Sequence, residues 1–225
     1  MNALILNDPF LDSLFGRGFP LGKMIHIYGR SGTCKSTFAL QVSARFGALG
    51  KKAFFIDTTT SFNKKRFSEI AGKNKKIFDH ILFASPSNLW EQTMLIDTIS
   101  KFGKNISLVC VDTISAFLRP LPIIEQKKLR NIRLLTYQLA ALSQLCKQNN
   151  CNIILINQAT IKDFNRKEEV PVAARFIDRY SDLSIHFTRE SERHRGVRVI
   201  GSSDFEKKSC FYVDKKGLLM LNHFK

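Results

Sequence analysis

Stretches of continuous apolar residues alternate with amphipathic stretches along the first two thirds of the chain. The continuous apolar stretches are typical of strands that are buried on both faces of a parallel sheet. They predict strands at 24–28, 52–56, 81–83, 106–111 and 151–156. The stretches between them carry apolar residues at helical spacing and predict helices. These helices are expected at 35–49, 63–71, 86–101 and 125–149. The alternation therefore predicts an α/β fold with a mostly parallel central sheet flanked by helices.

The pattern changes near residue 182, where short β-type segments begin to follow one another. They predict strands at 183–188, 197–200, 210–213 and 218–221. Successive short strands pair antiparallel, so we expect a β-rich antiparallel edge at the C-terminal end of the sheet. Residues 159–174, just before this region, show no clear period and are predicted to form a flexible loop. No repeat or linker divides the sequence, which predicts a single domain over residues 1–225.

The helix predicted at 125–149 carries an apolar stripe with a spacing of three and four residues. Its members are Leu129, Ile132, Leu135, Leu139, Leu142 and Cys146. Such a stripe is typical of a helix face that packs on the core, so we expect it to be buried. Cys110 and Cys151 lie in strand-like apolar stretches and, with Cys146, are expected to be buried free thiols.

A phosphate-binding loop follows the first predicted strand. Residues 29–36 have the sequence GRSGTCKS, and the full pattern is Gly-x-x-x-x-Gly-Lys-Ser/Thr. The first Gly, the Lys and the Ser are in place, whereas Cys34 stands where the second Gly belongs. A strand, a glycine loop and a helix in succession direct backbone N–H groups and a helix N-terminus at phosphate oxygens. Lys35 would neutralise phosphate charge, and the Ser36 hydroxyl would bind Mg²⁺.

Two further strand ends carry polar residues of interest. In an open α/β sheet, ligands bind beyond the C-terminal ends of the strands. Asp112 follows the strand predicted at 106–111 and is the expected second anchor for Mg²⁺. Gln158 follows the strand predicted at 151–156 and could report the γ-phosphate by hydrogen bonding. It could equally be a strand-terminal amide that satisfies the local backbone.

The net charge indicates a polyanionic partner. Lysine and arginine total 35 against 19 aspartate and glutamate residues, which gives a net charge of +16. This excess favours nucleic acid first and an anionic membrane surface second. A basic surface that only keeps the protein soluble is the alternative. No stretch approaches the roughly 18 consecutive apolar residues of a membrane span, and the first ten residues lack the basic start of a signal peptide. We therefore expect a cytoplasmic protein that binds no membrane.

Several segments of the sequence together resemble one family. They are LDSLFG at 11–16, GRSGTCKST at 29–37, FFIDT at 54–58, LVCVDTISAFLR at 108–119, LTYQLAALSQLCKQNN at 135–150 and IILINQ at 153–158. These segments, with the β-rich tail, resemble the RecA/RadA superfamily of recombinases, and most closely its archaeal RadB-like paralogues. The resemblance implies a RecA-like P-loop NTPase core that uses ATP and Mg²⁺. It also implies that the N-terminal helical DNA-binding domain of RadA is absent.

The resemblance assigns a role to each residue at a matching position. The triphosphate cradle comprises Gly29, Arg30, Ser31, Gly32, Thr33, Cys34, Lys35, Ser36 and Thr37. Ser36 and Asp112 match the Mg²⁺ site, and Gln158 matches the nucleotide sensor. Arg66 matches an arginine that stacks on adenine, a task suited to a planar guanidinium. By its place in a basic run alone, Arg66 could equally be a solvated charge.

Two segments match the loops that face single-stranded DNA in recombinase filaments, namely residues 117–126 and 159–174. The basic residues expected to bind DNA there are Arg119, Lys162, Arg166 and Lys167. Basic loops suit this task because neutralising phosphates gives affinity that does not depend on sequence. The basic segment 189–198 is either a second DNA surface or a solvated hairpin, with the latter slightly favoured.

Two departures from the family pattern argue against full ATPase activity. The family strand ends in FIDTE, whose glutamate positions the attacking water, but this chain has Thr59 there, and a hydroxyl cannot act as a carboxylate base. Cys34 replaces a glycine that allows close approach to the phosphates. These features favour an ATP-binding, DNA-binding accessory protein of recombination and DNA repair that assists a RadA-type recombinase and hydrolyses little ATP.

Two alternative functions stay open at the level of the sequence. The first is a competent DNA-dependent ATPase in which another carboxylate, Glu69 or Glu91, replaces the missing one. The second is a KaiC-like regulator with the RecA fold, whose partner is a protein.

Overall fold

The computed structural model describes residues 3–16, 18–72, 74–118, 125–163, 168–192, 194–201 and 206–221. Its strands are β1 (Ala3–Leu4), β2 (Phe19–Pro20), β3 (Met24–Gly29), β4 (Lys52–Asp57), β5 (Ile81–Ala84), β6 (Ile106–Asp112), β7 (Asn152–Asp163), β8 (Glu168–Pro171), β9 (Leu183–Arg189), β10 (His194–Gly201), β11 (Glu206–Asp214) and β12 (Gly217–Met220). Its α-helices are α1 (Pro9–Leu14), α2 (Lys35–Ala48), α3 (Lys64–Ala71), α4 (Leu89–Phe102), α5 (Glu125–Asn149) and α6 (Ala174–Ile177). Short 3₁₀ turns lie at Lys75–His80 and Ala116–Leu118.

The described residues form one large sheet with a parallel centre and an antiparallel end. The strand order is β12-β11-β10-β9-β3-β7-β6-β4-β5, and β8 pairs with β7 off this path. The strands from β9 to β5 in this order are parallel, and β10, β11 and β12 continue antiparallel from β9. The prediction of a mostly parallel sheet with an antiparallel C-terminal edge is therefore confirmed.

The central strands are buried because helices cover both faces of the sheet. Successive side chains of a strand point to opposite faces, and β6 shows this directly. Leu108 and Cys110 pack on the side of α1, α2 and α3, whereas Val109 and Val111 pack on the side of α4 and α5. Continuous apolar runs are the sequence signature of such doubly covered strands. Cys110, Cys146 and Cys151 are buried free thiols, as predicted.

The helix bounds agree with the sequence to within one residue, except at the start of α4. α4 begins at Leu89 rather than at residue 86, because the Asn88 side chain accepts a hydrogen bond from the Glu91 N–H and caps the first turn. α5 has the predicted bounds, but its apolar stripe is not buried throughout. Leu129 is 50 % exposed, whereas Leu135, Leu139 and Leu142 are fully buried. The prediction of burial is therefore wrong for Leu129, near the start of α5.

The prediction of a flexible loop over residues 159–174 is wrong at both of its ends. β7 continues to Asp163, and its last residues pair antiparallel with β8. Ala159 pairs with Pro171 and Thr160 pairs with Val170. Thr160, Ile161 and Val170 are β-branched and favour extended backbone, although the segment is too short to show an alternating pattern.

The antiparallel end of the sheet packs on α2. The Gln41 side chain of α2 donates to the Leu218 carbonyl oxygen (3.2 Å) and accepts from the Leu218 N–H (2.7 Å). Gln41 also donates to Oδ2 of Asp8 (2.8 Å), and Asp8 caps α1 through its Oδ1. These contacts bring β12 and the turn before it to the same side of the sheet as α2 and α3.

Candidate nucleotide-binding site

The segment 29–36 forms a tight loop between β3 and α2. Gly29 is needed at its start because a Cβ there would collide with the Phe187 carbonyl oxygen of β9. Gly32 has a φ of +76°, and a Cβ built on it would meet nothing within 4 Å. Gly32 is therefore required for its backbone conformation rather than for space. The Thr33 hydroxyl donates to the Arg30 carbonyl oxygen (2.9 Å) and closes the turn.

Cys34 occupies a position that demands left-handed backbone. Its φ is +75° and its ψ is +20°, and it directly precedes the first residue of α2. Side chains with a Cβ reach this region at a cost of about 1–2 kcal/mol, which explains why the phosphate-loop pattern has glycine here. The Cys34 Sγ lies 3.9 Å from the Gly32 carbonyl oxygen. Burial raises the pKa of the Cys34 thiol, and the charges of Arg195, Lys35 and Arg66 act in the opposite direction.

The Lys35 ammonium lies inside the loop. It is buried, at 7 % exposure, and donates to the Gly29 carbonyl oxygen (2.8 Å) and the Arg30 carbonyl oxygen (2.7 Å). The Thr33 hydroxyl lies 3.3 Å from the same nitrogen. The loop therefore carries its positive charge at a fixed position, at the N-terminus of α2, whose dipole also favours anions.

Ser36 and Asp112 meet at the same place. The Ser36 hydroxyl donates a hydrogen bond to the Asp112 carboxylate, although the two residues belong to different strand–helix units. Burial raises the pKa of Asp112 to about 6. The Ser36 hydrogen bond and the Lys35 charge lower it, and the negative charge of Asp57 raises it further. A hydroxyl and a carboxylate are the oxygen ligands that Mg²⁺ prefers, so this pair could hold the ion.

A cavity of about 460 Å³ opens between the loop and the strand ends. It is lined by Ser31, Gly32, Cys34, Lys35, Ser36, Thr37, Thr59, Asp112, Thr113 and Gln158. Among the described residues of this lining, Asp112 is the only carboxylate. Glu69 pairs with Arg66 (3.5 Å), and Glu91 accepts from Ser87 and Asn88 at the start of α4. Neither glutamate lines the cavity.

Thr59 lines the cavity where the family pattern has glutamate. Its hydroxyl donates to Asp57 Oδ1 (2.9 Å) and lies 2.7 Å from the Ser61 hydroxyl. Asp57 is buried and also accepts from the Thr59 N–H (3.0 Å) and the Phe62 N–H (2.6 Å). The nearby buried carboxylate is thus bound to the backbone of its own turn and does not line the cavity.

Arg66 lies on α3 and joins it to the turn between β11 and β12. Its guanidinium donates to the Asp214 carbonyl oxygen (2.8 Å) and to the Lys215 carbonyl oxygen (3.0 Å). Its positive charge acts to lower the pKa of Cys34, against the larger effect of burial. Stacking of Arg66 on a base stays a prediction.

Gln158 lines the cavity from β7, opposite Gly29 in the register of β3 and β7. Its neighbour Asn157 is part of a buried polar chain. Asn157 accepts from the Ser115 hydroxyl (2.6 Å), donates to the Val172 carbonyl oxygen (2.7 Å) and lies 3.2 Å from His26 Nε2. These hydrogen bonds hold in place the part of β7 that carries Gln158. Gln158 as a sensor stays a prediction.

The residues expected to bind DNA are largely outside the described part of the chain. Arg119, Arg166 and Lys167 lie outside the described residues, and Lys162 lies in β7 with its side chain not described. Their role stays a prediction. Sequence reasoning did not single out Arg195, whose Nε donates to the Gly32 carbonyl oxygen (3.3 Å). The only signal was the basic segment 189–198, which contains it.

The fold and the cavity together define a class of protein. A glycine loop and helix after the central strand β3, with an aspartate at the end of a nearby parallel strand, characterise nucleotide-binding proteins with a P-loop. The family profile of the RecA N-terminal domain matches residues 9–205. The chain belongs to this RecA family.

Known relatives agree with this assignment. A protein of Methanococcoides burtonii named DNA repair and recombination protein RadB is 28 % identical over 191 residues, which covers 84 % of each chain. The RadB protein of Thermococcus kodakarensis is 34 % identical over 154 residues, which covers 66 % of each chain. A crystal structure of the RadB recombinase superimposes with a TM-score of 0.80 at 24 % identity, covering 97 % of this chain and 100 % of that chain. The last comparison shows the fold. Among the described residues, no helix is long and apolar enough to cross a membrane.

Proposed function

We propose that this chain binds ATP with Mg²⁺ at residues 29–37 and acts with DNA in repair and recombination as an accessory to a RadA-type recombinase. In this function it hydrolyses little or no ATP. The proposal rests on one observation above all. The cavity has the groups that hold a nucleotide, Lys35, Ser36 and Asp112, and has Thr59 where a family member would have its water-positioning glutamate.

Different residues of the cavity would bind different parts of the nucleotide. The loop N–H groups and the α2 N-terminus would receive phosphate oxygens, and Lys35 would add a charge-assisted hydrogen bond. Ser36 and Asp112 would hold Mg²⁺, which supplies charge neutralisation on the phosphates when bound. Thr59 can donate or accept a hydrogen bond at neutral pH, but it cannot take a proton from water as a carboxylate does.

The strained Cys34 is compatible with binding. Its backbone has the left-handed conformation that the loop requires, so its N–H keeps the orientation that a glycine would give it. The cost of that conformation affects stability rather than the presence of the N–H donors. Binding is therefore expected to persist, with an affinity lowered by the space that the Cys34 Cβ and thiol occupy beside the phosphates.

The DNA part of the proposal is supported by charge and by relatives. The net charge of +16 favours a polyanion, and the relatives described above are named for DNA repair and recombination. Single-stranded DNA is the expected partner.

We expect the charge reversals Arg166→Glu and Lys167→Glu to weaken binding of single-stranded DNA. An unchanged dissociation constant would remove this segment from the proposal.

Nucleotide binding is tested by titrating ATP–Mg²⁺ against the parent and against Lys35→Ala. Loss of a charged hydrogen bond costs about 1.5–3 kcal/mol, so Lys35→Ala should weaken ATP binding by about 10- to 100-fold. A suitable control is Lys51→Ala, which removes the same charge after the C-terminal end of α2. A parent that binds no ATP, or a Lys35→Ala variant that binds as the parent does, would contradict the proposal.

Hydrolysis and DNA binding separate the proposal from its two alternatives. ATP turnover is measured with and without single-stranded DNA beside an active RadA-type recombinase, and we expect it to be lower by about 10²–10⁴-fold. Comparable turnover would favour the competent ATPase.

DNA affinity should fall steeply with salt. In a plot of the logarithm of the binding constant against the logarithm of the salt concentration, we expect a slope of about −0.7 for each phosphate neutralised on a single strand. A flat salt dependence would favour the regulator with a protein partner.

A further inference from the structure

The β9–β10 hairpin lies directly beside the phosphate loop. β9 is parallel to β3, which ends at Gly29. Gly29 is so close to β9 that the Phe187 carbonyl oxygen occupies the space of a Cβ. The main-chain contact between β9 and Gly29 therefore holds the hairpin that continues from β9 at a fixed position relative to the loop.

The side chain of Arg195 in this hairpin reaches the loop. Its Nε donates to the Gly32 carbonyl oxygen (3.3 Å), which places the guanidinium beside the loop. Three carbonyl oxygens of the turn fix the same guanidinium, since Nη1 donates to Ser191 (2.8 Å), His194 (3.0 Å) and Glu192 (3.2 Å). The head of Arg195 is thus held in one orientation at the edge of the loop.

The charge of Arg195 is not neutralised by its partners in the described part of the chain. Those partners are carbonyl oxygens rather than carboxylates. Arg198 on the same strand differs, since its Nε forms an ion pair with Glu206 Oε1 at 3.3 Å. Arg195 therefore combines a fixed position, a donor and a charge, which are the properties of an anion ligand.

Two cations are held at the loop by its own carbonyl oxygens. Lys35 Nζ donates to those of Gly29 and Arg30, and Arg195 Nε donates to that of Gly32. The lining residues that the structure describes include one carboxylate, Asp112. This excess of positive charge at the loop favours a ligand with several negative charges.

We propose that Arg195 is a phosphate-binding residue of the nucleotide site, supplied by the β9–β10 hairpin of the same chain. It binds the phosphate chain of the nucleotide together with Lys35. The inference rests on the proposed ATP binding and adds to it a ligand that the phosphate-loop pattern does not contain. Because Arg195 binds phosphate groups, its contribution to affinity is larger for a ligand with more phosphates.

The competing role for Arg195 is a structural brace that only holds Gly32 in place. Arg195→Gln separates the two roles, because an amide can still donate to the Gly32 carbonyl oxygen but carries no charge. Arg195→Lys keeps the positive charge but replaces the planar guanidinium with an ammonium group. Arg198→Gln is the matched control, since it removes the same charge from the same strand.

The test measures dissociation constants for ATP–Mg²⁺, ADP–Mg²⁺ and inorganic triphosphate by calorimetry, with thermal unfolding recorded for each variant. We expect Arg195→Gln to weaken ATP and inorganic triphosphate by about 10- to 100-fold and ADP by less. Arg195→Lys should recover part of the loss, and Arg198→Gln should bind as the parent does. The unfolding midpoint of Arg195→Gln should stay close to that of Arg198→Gln.

Two results would overturn the inference while leaving the proposed function intact. One is a parent that binds ATP and an Arg195→Gln variant that binds it equally well. The other is an equal loss for ATP and ADP, which is the result expected of a brace. A parent that binds no nucleotide would instead refute the proposed function, and this inference with it.

Discussion

The loop after β3 and the turn after β4 face the same cavity, but they bring different chemistry to it. The loop places a buried ammonium, Lys35, and a hydroxyl, Ser36, next to a helix N-terminus. The turn after β4 brings a hydroxyl, Thr59, whose hydrogen bonds go to Asp57 and Ser61 in the same turn. Holding an anion needs donors and positive charge, whereas activating water needs a base. The first region has what binding needs, and the second lacks what cleavage needs.

The comparison also shows that binding and cleavage can be changed separately. The two regions belong to different strand–helix units and contribute different atoms to the cavity. A change in the turn after β4 should therefore affect turnover with little effect on affinity. A change in the loop should affect affinity or stability.

The largest expected effect comes from restoring the carboxylate, by Thr59→Glu. If the missing base is what limits hydrolysis, the variant should raise ATP turnover by about 10²–10⁴-fold, the usual contribution of a general base. The ATP dissociation constant should change little. Turnover is measured under saturating ATP–Mg²⁺, with and without single-stranded DNA.

The control for this variant is Thr60→Glu, which adds the same charge one residue further along the turn. Thr60 is exposed and does not line the cavity. A rise in both variants would mean that charge in the turn, rather than a base at residue 59, is responsible. No rise in Thr59→Glu would show that the loop itself also prevents hydrolysis.

A smaller effect is expected from Asp112→Asn, which should raise the free energy of unfolding in a way that depends on pH. The pKa of Asp112 is raised to about 6 in the folded protein, against about 3.9 in an unfolded chain. The ionised side chain therefore lowers stability above pH 6, and the parent regains that stability as the pH falls from 6 towards 4. The Asn variant should be more stable than the parent by about 1–3 kcal/mol at pH 7. The difference should vanish near pH 4.

Urea unfolding from pH 4 to pH 8, without nucleotide, measures this difference. Asp97→Asn provides a control of opposite sign, because hydrogen bonds from Lys101 and Tyr137 lower the pKa of Asp97. That variant should lose stability at neutral pH, and the loss should shrink in acid. A parent that is more stable than Asp112→Asn at pH 7 would contradict the predicted free-energy cost of burying the ionised Asp112 side chain.

Asp112→Asn should also lose the stabilisation that ATP–Mg²⁺ gives to the parent.

The sequence predicted those parts of the site that depend on neighbours along the chain. The loop could be recognised because its turn, its lysine and its helix are contiguous, and Asp112 could be recognised because a buried strand ends there. The direction of Arg66 could not be predicted, since its partners are carbonyl oxygens of residues 214 and 215. The Gln41 side chain, which hydrogen bonds to Leu218, helps to hold β12 against α2 beside them.

Arg195 illustrates the same limit. Its segment is conspicuously basic, but nothing in the local sequence distinguishes Arg195 from Arg198. The register of β10 with β9 places Arg195 opposite Arg189 and brings it to the loop, while Arg198 meets Glu206. Register is a property of strand pairing across the whole sheet, which a local pattern does not reveal.

The smallest expected effect concerns Cys34, where the loop itself departs from the family pattern. Because Cys34 has a φ of +75°, Cys34→Gly should relieve the left-handed strain, worth about 1–2 kcal/mol. Glycine gives back part of this gain through the greater freedom of the unfolded chain, so the net gain should be about 0.5–1 kcal/mol. Cys34→Ala is the matched control, since it removes the thiol but keeps the Cβ and the strain. In urea unfolding, Cys34→Gly should exceed both the parent and Cys34→Ala. The reverse order would mean that packing of the Cys34 thiol against Gly32 and Arg195 outweighs the backbone strain.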